Sequence, residues 1–205
     1  MIPNRLQKGD VLGIIAPSDP VTPKNLEEFN ASILLMEKAG YNLKIGKNVF
    51  ANPTGYGATA KQKAEDLNNM FKDKEVKMVW CAKGGFNSNS LFDLIDYDAI
   101  KQNPKILCGY SDTTAIANMI YQKTGLVTFS GQTFKGVSAC ETDYCYKEII
   151  KRFQDASLEL GTENDEFRVI RPGKAEGIMI GGNLSIMSNL ITGKYSVDVT
   201  DKILF

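Results

Sequence analysis

The sequence predicts a doubly wound, mostly parallel α/β sheet followed by the start of a smaller C-terminal domain. Three observations predict it. Short apolar segments alternate with helical patterns through the first 130 residues. One of the apolar segments, Val76–Ala82, is nearly continuous, as a strand buried on both faces of a parallel sheet must be. Turn residues at Ser18, Gly84-Gly85 and Ser111 fall at or just past the carboxyl ends of strands, where ligands gather in such sheets.

The elements follow in order. Asp10–Ala16 is a strand, closed by the turn residues Pro17-Ser18-Asp19-Pro20. A helix spans Thr22–Ala39, with Thr22 as cap, Pro23 at its first position and Gly40 as its stop. Tyr41–Phe50 is the second strand. Thr59–Lys72 is a helix with Ala60, Ala64, Leu67 and Phe71 on one face, a stripe that packs into a core. The strand Val76–Ala82 opens into Lys83-Gly84-Gly85-Phe86-Asn87-Ser88 and a helix from about Ser88 to Ile95. Lys105–Tyr110 is a strand, Asp112–Lys123 a helix and Leu126–Ser130 a strand. After Gly136 the pattern changes. A helix over Tyr144–Phe153 precedes a polar stretch within Ser157–Val169, then a strand and turn at Gly177–Leu184 and a short helix to about Ile191. These patterns divide the chain into an N-terminal domain (1–140), a linker (141–168) and the first elements of a C-terminal domain (169–205). The last residues, Ile203-Leu204-Phe205, read as an apolar strand cut short.

Composition limits the function classes. The chain has 205 residues, 43% hydrophobic and 23% charged, as in ordinary globular domains. Lys plus Arg and Asp plus Glu number 24 each, so there is no basic excess with which to neutralise nucleic-acid phosphates or an anionic membrane. The apolar run Val11–Ala16 is too short for an export signal, and no run reaches the roughly 18 apolar residues of a membrane span. Cys81, Cys108, Cys140 and Cys145 form no C-x-x-C pair; they read as reduced, structural thiols and point to the cytoplasm.

The chemistry centres on Ser111, set where Lys105–Tyr110 turns into a helix. Serine at such a junction is commonly a helix cap. Gly109-Tyr110-Ser111-Asp112-Thr113 also approaches the G-x-S-x-G elbow that exposes a nucleophilic hydroxyl, with Thr113 in place of the second glycine. Gly84-Gly85 reads either as a flexible turn or as a close backbone approach that supplies an oxyanion-hole donor. The chain contains no histidine, so a Ser-His-Asp triad cannot be built within it. Lys83 and Lys105 are the nearest lysines by position, yet neither lies in an S-x-x-K context and each reads as a solvated charge. Without histidine or clustered cysteines, no metal site is expected.

Six segments in register give a resemblance. They are Gly9-Asp10 leading to Ala16-Pro17-Ser18, the Lys83–Ser88 loop, Leu94-Ile95-Asp96-Tyr97, Asn103-Pro104-Lys105, Gly109–Thr114, and Gly181-Gly182-Asn183-Leu184. With these the chain resembles the LD-carboxypeptidase serine peptidases, in particular their branch related to microcin C immunity peptidases. The resemblance aligns Ser111 with the family's nucleophile and the N–H groups of Gly85 and Asp112 with its oxyanion hole. It implies a cytoplasmic, often dimeric hydrolase needing no cofactor and no metal, and acting on murein peptides or microcin-type conjugates. The partners it implies are a peptide substrate and a second copy of the chain, with no nucleic acid and no membrane. It also implies a glutamate and a histidine beyond Phe205, so the expectation is a truncated chain, inactive or nearly so by itself. The alternative from a different class is a non-catalytic interaction fragment that pairs through Ile203-Leu204-Phe205.

Overall fold

The apolar segments of the first 130 residues form one parallel sheet in the computed structural model, which describes residues 1–140, 143–155 and 168–205. Its strands are β1 (Val11–Ile15), β2 (Asn42–Ile45), β3 (Val76–Cys81), β4 (Ile106–Gly109) and β5 (Phe129–Ser130), in the order β2-β1-β3-β4-β5. All four pairings are parallel; β1 and β3 run together from Leu12–Met78 to Ile15–Cys81. The chain moves outward from β1 to β2 and then crosses back to β3. The strand order therefore reverses between β1 and β3, and in such sheets ligands gather at the carboxyl ends of the strands beside that reversal.

Helices α1 (Leu26–Lys38), α2 (Ala60–Lys72), α3 (Tyr97–Gln102), α4 (Thr114–Thr124) and α5 (Asp143–Gln154) cover the sheet. One face buries Leu67 and Phe71 of α2, Ile100 of α3, and Ile116 and Ile120 of α4 against Val79, Cys81 and Leu107. The other buries Phe29 and Met36 of α1 and Phe153 of α5 against Leu12, Ile14, Met78 and Trp80. Apolar layers on both faces explain why β3 is continuous in hydrophobicity rather than alternating. The expected doubly wound α/β class is what is found.

A second, two-stranded parallel sheet joins β6 (Ile178–Ile180) to β7 (Lys202–Leu204), with α6 (Leu184–Thr192) between them. Ile180, Met187, Leu190 and Val197 enter the core on the α4 side. The terminal segment is thus not an unpaired strand: Ile203 and Leu204 pair with Met179 and Ile180, and the Phe205 N–H donates to the Ile180 carbonyl at 3.2 Å.

Three segments differ from expectation. The first helix begins at Leu26, after a 3-10 turn over Pro23–Asn25 for which the Thr22 side chain supplies no cap; Pro23 still opens the turn. The second strand ends at Ile45 rather than Phe50. Asp66 from α2 accepts from the N–H (2.8 Å) and side chain (3.0 Å) of Asn48 and bends the chain there. Ser88–Leu91 is a single 3-10 turn, entered through Asn87 at φ +69°, not a helix to Ile95. The α-helix comes afterwards as α3, where the Asp96 side chain caps by accepting from the Ala99 N–H at 2.9 Å. The polar part of the proposed linker, Gly161–Glu166, and the Cys145 side chain lie outside the described residues. Cys81 and Cys108 are free thiols. Among the described residues, no helix is long and apolar enough to cross a membrane.

The start of α2 offers a stability test. The Thr59 hydroxyl accepts from the Gln62 N–H at 3.3 Å, and Gln62 Oε1 accepts from the Thr59 N–H at 3.0 Å, a reciprocal cap. Thr59→Ala is expected to cost about 1 kcal/mol, read as a lower urea midpoint at unchanged m-value.

Candidate active site

Strand β4 carries the chain to the site and stops abruptly. Tyr110 is extended at φ −145°, and Ser111 then turns left-handed at φ +63° before the 3-10 turn Ser111–Thr113 leads into α4. A left-handed backbone is uncommon for serine and costs of the order of 1 kcal/mol. The turn is held from behind by Thr113, whose hydroxyl donates to the Tyr110 carbonyl at 2.9 Å. That contact also explains the missing second glycine of the elbow, since Thr113 locks the turn with a hydrogen bond of its own. Gly109 must stay small, because a Cβ there would lie 2.5 Å from Thr113 Oγ1 and 3.0 Å from Cys81 Cβ.

Ser111 does not cap the helix it precedes. Neither the 3-10 turn nor α4 receives a side-chain cap, and among the described residues the Ser111 hydroxyl has no hydrogen-bond partner. It is half-buried, and it lies against the loop that follows β3. A Cβ on Gly84 would sit 2.9 Å from Ser111 Cβ and 3.1 Å from its Oγ, so only glycine lets the two backbones approach this closely. Gly85 has φ +145°, and a Cβ there would lie 2.5 Å from Asp19 Oδ1. The N–H groups of Gly85 and Asp112 have no hydrogen-bond partner among the described residues. That of Asp112 is one of the donors every helix leaves free at its N-terminus.

Asp112 contributes more than its backbone. Its buried side chain accepts at Oδ2 from Ser18 Oγ (2.6 Å) and from the Ser88 N–H (2.9 Å), while Ser88 Oγ donates to the Asp112 carbonyl at 2.7 Å. Lys63, reaching up from α2, donates to the Ser18 carbonyl. Burial pushes the Lys63 ammonium below its ordinary range, and the nearby Asp19 and Asp112 pull it partly back. Lys83 forms a long ion pair with Asp19, 3.8 Å apart. Ser88 and Lys63 were not legible as site residues, because each carries an ordinary residue type at an ordinary position.

The lysines considered as a base are accounted for differently. Lys105 precedes β4 whereas Ser111 follows it, which separates them by roughly 20 Å along an extended strand. Nor is Lys105 a solvated charge. It is buried, donates to the carbonyls of Met70 (2.8 Å) and Asp73 at the end of α2, and is pushed down to about 8 by burial. Behind the elbow, burial drives the Cys81 thiol up to about 12, so it stays protonated and packs as a small apolar group. Among the described residues no group of three or more His, Cys, Asp or Glu side chains could hold a metal ion.

Two clefts flank the elbow. One of about 310 Å³ is lined by Phe86, Asn87, Asp112, Ala115, Ile186 and Tyr195. The other, about 510 Å³ and mainly apolar, is lined by Gly109, Thr114, Ser130, Gly181 and Phe205 among others. A third hollow, about 680 Å³, lies near Arg5, Asp10, Lys74 and Lys105 at the opposite end of the sheet, away from this chemistry.

Known proteins resemble the chain in sequence and in fold. The chain is 38% identical over 209 residues to a probable murein peptide carboxypeptidase of Bacillus subtilis (strain 168), covering 99% of this chain and 63% of that protein. It is 31% identical to the microcin C7 self-immunity protein MccF of Escherichia coli, over 90% of this chain and 62% of that one. The chain therefore spans less than two thirds of the length of these relatives. The crystal structure of an MccF-like protein from Bacillus anthracis str. Ames superposes with a TM-score of 0.86 at 31% identity, covering all of this chain and 69% of that one. The sequence profile of the LD-carboxypeptidase N-terminal domain matches residues 12–131, more than half of the 205 residues, and the chain belongs to the LD-carboxypeptidase family.

Proposed function

We propose that this chain carries the nucleophile half of a serine peptidase that cleaves the bond between an L-configured centre and a terminal D-amino acid in murein peptides. The observation that carries this reading is Ser111 itself: a left-handed residue whose hydroxyl, like the N–H groups of Gly85 and Asp112, has no hydrogen-bond partner among the described residues. Ser111 Oγ attacks the scissile carbonyl, and the C–O bond forms as the carbonyl π pair moves onto oxygen. The N–H groups of Gly85 and Asp112 donate to that oxyanion. The base that takes the Ser111 Oγ proton returns it to the amide nitrogen as the C–N bond breaks, so the D-amino acid leaves as its neutral amine and the acyl-enzyme that remains is hydrolysed by water.

A serine hydroxyl needs a base, and none of the 205 residues is a histidine. The base is proposed to come from the part of the family fold that this chain does not span, with residues 1–140 as the nucleophile-bearing domain, 141–168 as linker and 169–205 as the beginning of the complementary domain. The 205 residues alone are then expected to turn over little or nothing.

The test is D-alanine release from a murein tetrapeptide, comparing the 205-residue chain with a fusion that adds the portion of the Bacillus subtilis relative it does not span. Activity in the fusion only, lost in Ser111→Ala, upholds the proposal; Ser111-independent activity overturns it. A second reading is favoured by the likeness to MccF and its Bacillus anthracis counterpart. On that reading the substrate is a microcin-type aminoacyl-nucleotide conjugate, and such a conjugate is offered to the same fusion in competition. Within either reading, Gly85→Ala is expected to lower kcat about 10²–10³-fold, the effect of losing one oxyanion donor. Its new Cβ cannot be accommodated against Asp19 without moving the Gly85 N–H.

A further inference from the structure

Ser18, Asp112, Ser88 and Lys63 form a connected set of hydrogen bonds directly behind the elbow. Ser18 and Ser88 are 0% exposed and Asp112 is 5% exposed. The loops that leave β1, β3 and β4 have no covalent reason to keep a fixed spacing. They meet at one side-chain atom, Asp112 Oδ2, which takes Ser18 Oγ from the first loop and the Ser88 N–H from the second. Ser88 returns a bond to the Asp112 carbonyl, so that residue is held by both its side chain and its backbone. Lys63 fixes the carbonyl of Ser18 from α2, and the Asp19 N–H donates to the Gly84 carbonyl at 3.4 Å. Bonds of this kind to a carboxylate are short and strong, and in a buried setting each helps to fix the others.

Two N–H groups beside the elbow, those of Gly85 and Asp112, lack a hydrogen-bond partner among the described residues. That of Asp112 belongs to the residue at the junction, and that of Gly85 lies between Asp19, which packs on it, and Ser88, three residues on. An oxyanion hole whose donors come from different loops works only if their spacing is held to within about 0.5 Å. We propose that the Asp112 side chain is a positioning residue: through Ser18 and Ser88 it sets the distance between its own N–H and that of Gly85. This rests on the reading of Ser111 as nucleophile. Because the carboxylate acts through the donors and not on substrate, its loss weakens transition-state binding while leaving ground-state binding in place.

The experiment uses Asp112→Ala, Ser18→Ala and Asp112→Asn with two readouts. In the fusion described above, the two alanine variants are expected to lower kcat for D-alanine release about 10²-fold, with KM within about twofold of the parent. Asp112→Asn is expected to recover to within about tenfold of the parent, because its amide oxygen accepts the same two bonds. In the 205-residue chain, amide hydrogen exchange followed by NMR is expected to speed up at least tenfold in the alanine variants at Ser88 and Asp19, whose N–H groups donate to Asp112 Oδ2 and to the Gly84 carbonyl. An unchanged kcat, a KM that rises in step with the fall in kcat, or an asparagine variant no better than alanine overturns the proposal. If the Ser111→Ala control of the fusion stays active, the nucleophile reading fails, and exchange alone decides the rest. Acceleration at both amides then upholds the tie between the loops, and acceleration at neither overturns it. Should Asp112→Ala fail to fold, Ser18→Ala and Asp112→Asn carry the same comparison.

Discussion

Ser111→Ala in the fusion is expected to lower kcat about 10⁴–10⁶-fold, the loss usual when a serine nucleophile is removed from an otherwise intact site. Residual turnover would come from the oxyanion donors and substrate binding, and KM should move little. Stability should respond in a different way. At φ +63° an alanine is strained as the serine is, and the serine hydroxyl has no hydrogen-bond partner to lose among the described residues. The melting temperature of the alanine variant should therefore stay near that of the parent. Ser111→Gly removes the Cβ that makes this backbone costly and is expected to gain about 0.5–1 kcal/mol. A variant that is dead and more stable identifies strain retained for chemistry. Equal losses of activity and stability would instead make Ser111 a structural residue.

The elements that were legible in the sequence are those whose signals are local. The α2 boundary at Thr59, the Gly40 stop after α1 and the continuous apolar β3 each follow from residues within a few positions. Where a distant residue decided the outcome, the sequence was silent. Asp66 ends the second strand by taking the Asn48 amides, from 18 residues away. The Ser88 turn stops because Asn87 is left-handed and Asp96 starts a new helix, although Phe92 and Ile95 bury as a helix pattern would have them.

The same division runs through the site. Ser111 and Gly84-Gly85 announced themselves by residue type at a strand end. The role of the Asp112 side chain did not, because its partners Ser18 and Ser88 are 94 and 24 residues away. The burial of Lys105 is hidden for a related reason: nothing local says that a lysine preceding a strand lies under the end of α2, where it satisfies two carbonyls that the helix leaves open.

The largest stability loss from one substitution is expected at Trp80, the chain's sole tryptophan. It lies fully buried in β3 and meets Phe134 and Phe153 edge-on, at centroid distances of 5.5 and 5.3 Å. Its Nε1–H donates to the Gln132 carbonyl at 2.7 Å. Trp80→Ala removes the indole from between Phe134 and α5, opens a cavity that a sheet strand cannot collapse to fill, and leaves that carbonyl without its strongest donor. The cost is about 3–5 kcal/mol. Domains of this class have about 5–15 kcal/mol in all, so the variant should melt roughly 10 °C or more below the parent. The readout must be circular dichroism, since the variant has no tryptophan emission to follow. Trp80→Phe keeps the ring packing and loses only the donor and part of the volume, and should fall between the two. Because Trp80 is three residues ahead of Lys83 and the glycine loop, the alanine variant of the fusion should also lose activity at temperatures well below its melting point. A Trp80→Ala protein that melts with the parent would mean that the α1–α5 side of the sheet contributes little to holding β3, and with it the Gly85 donor, in place.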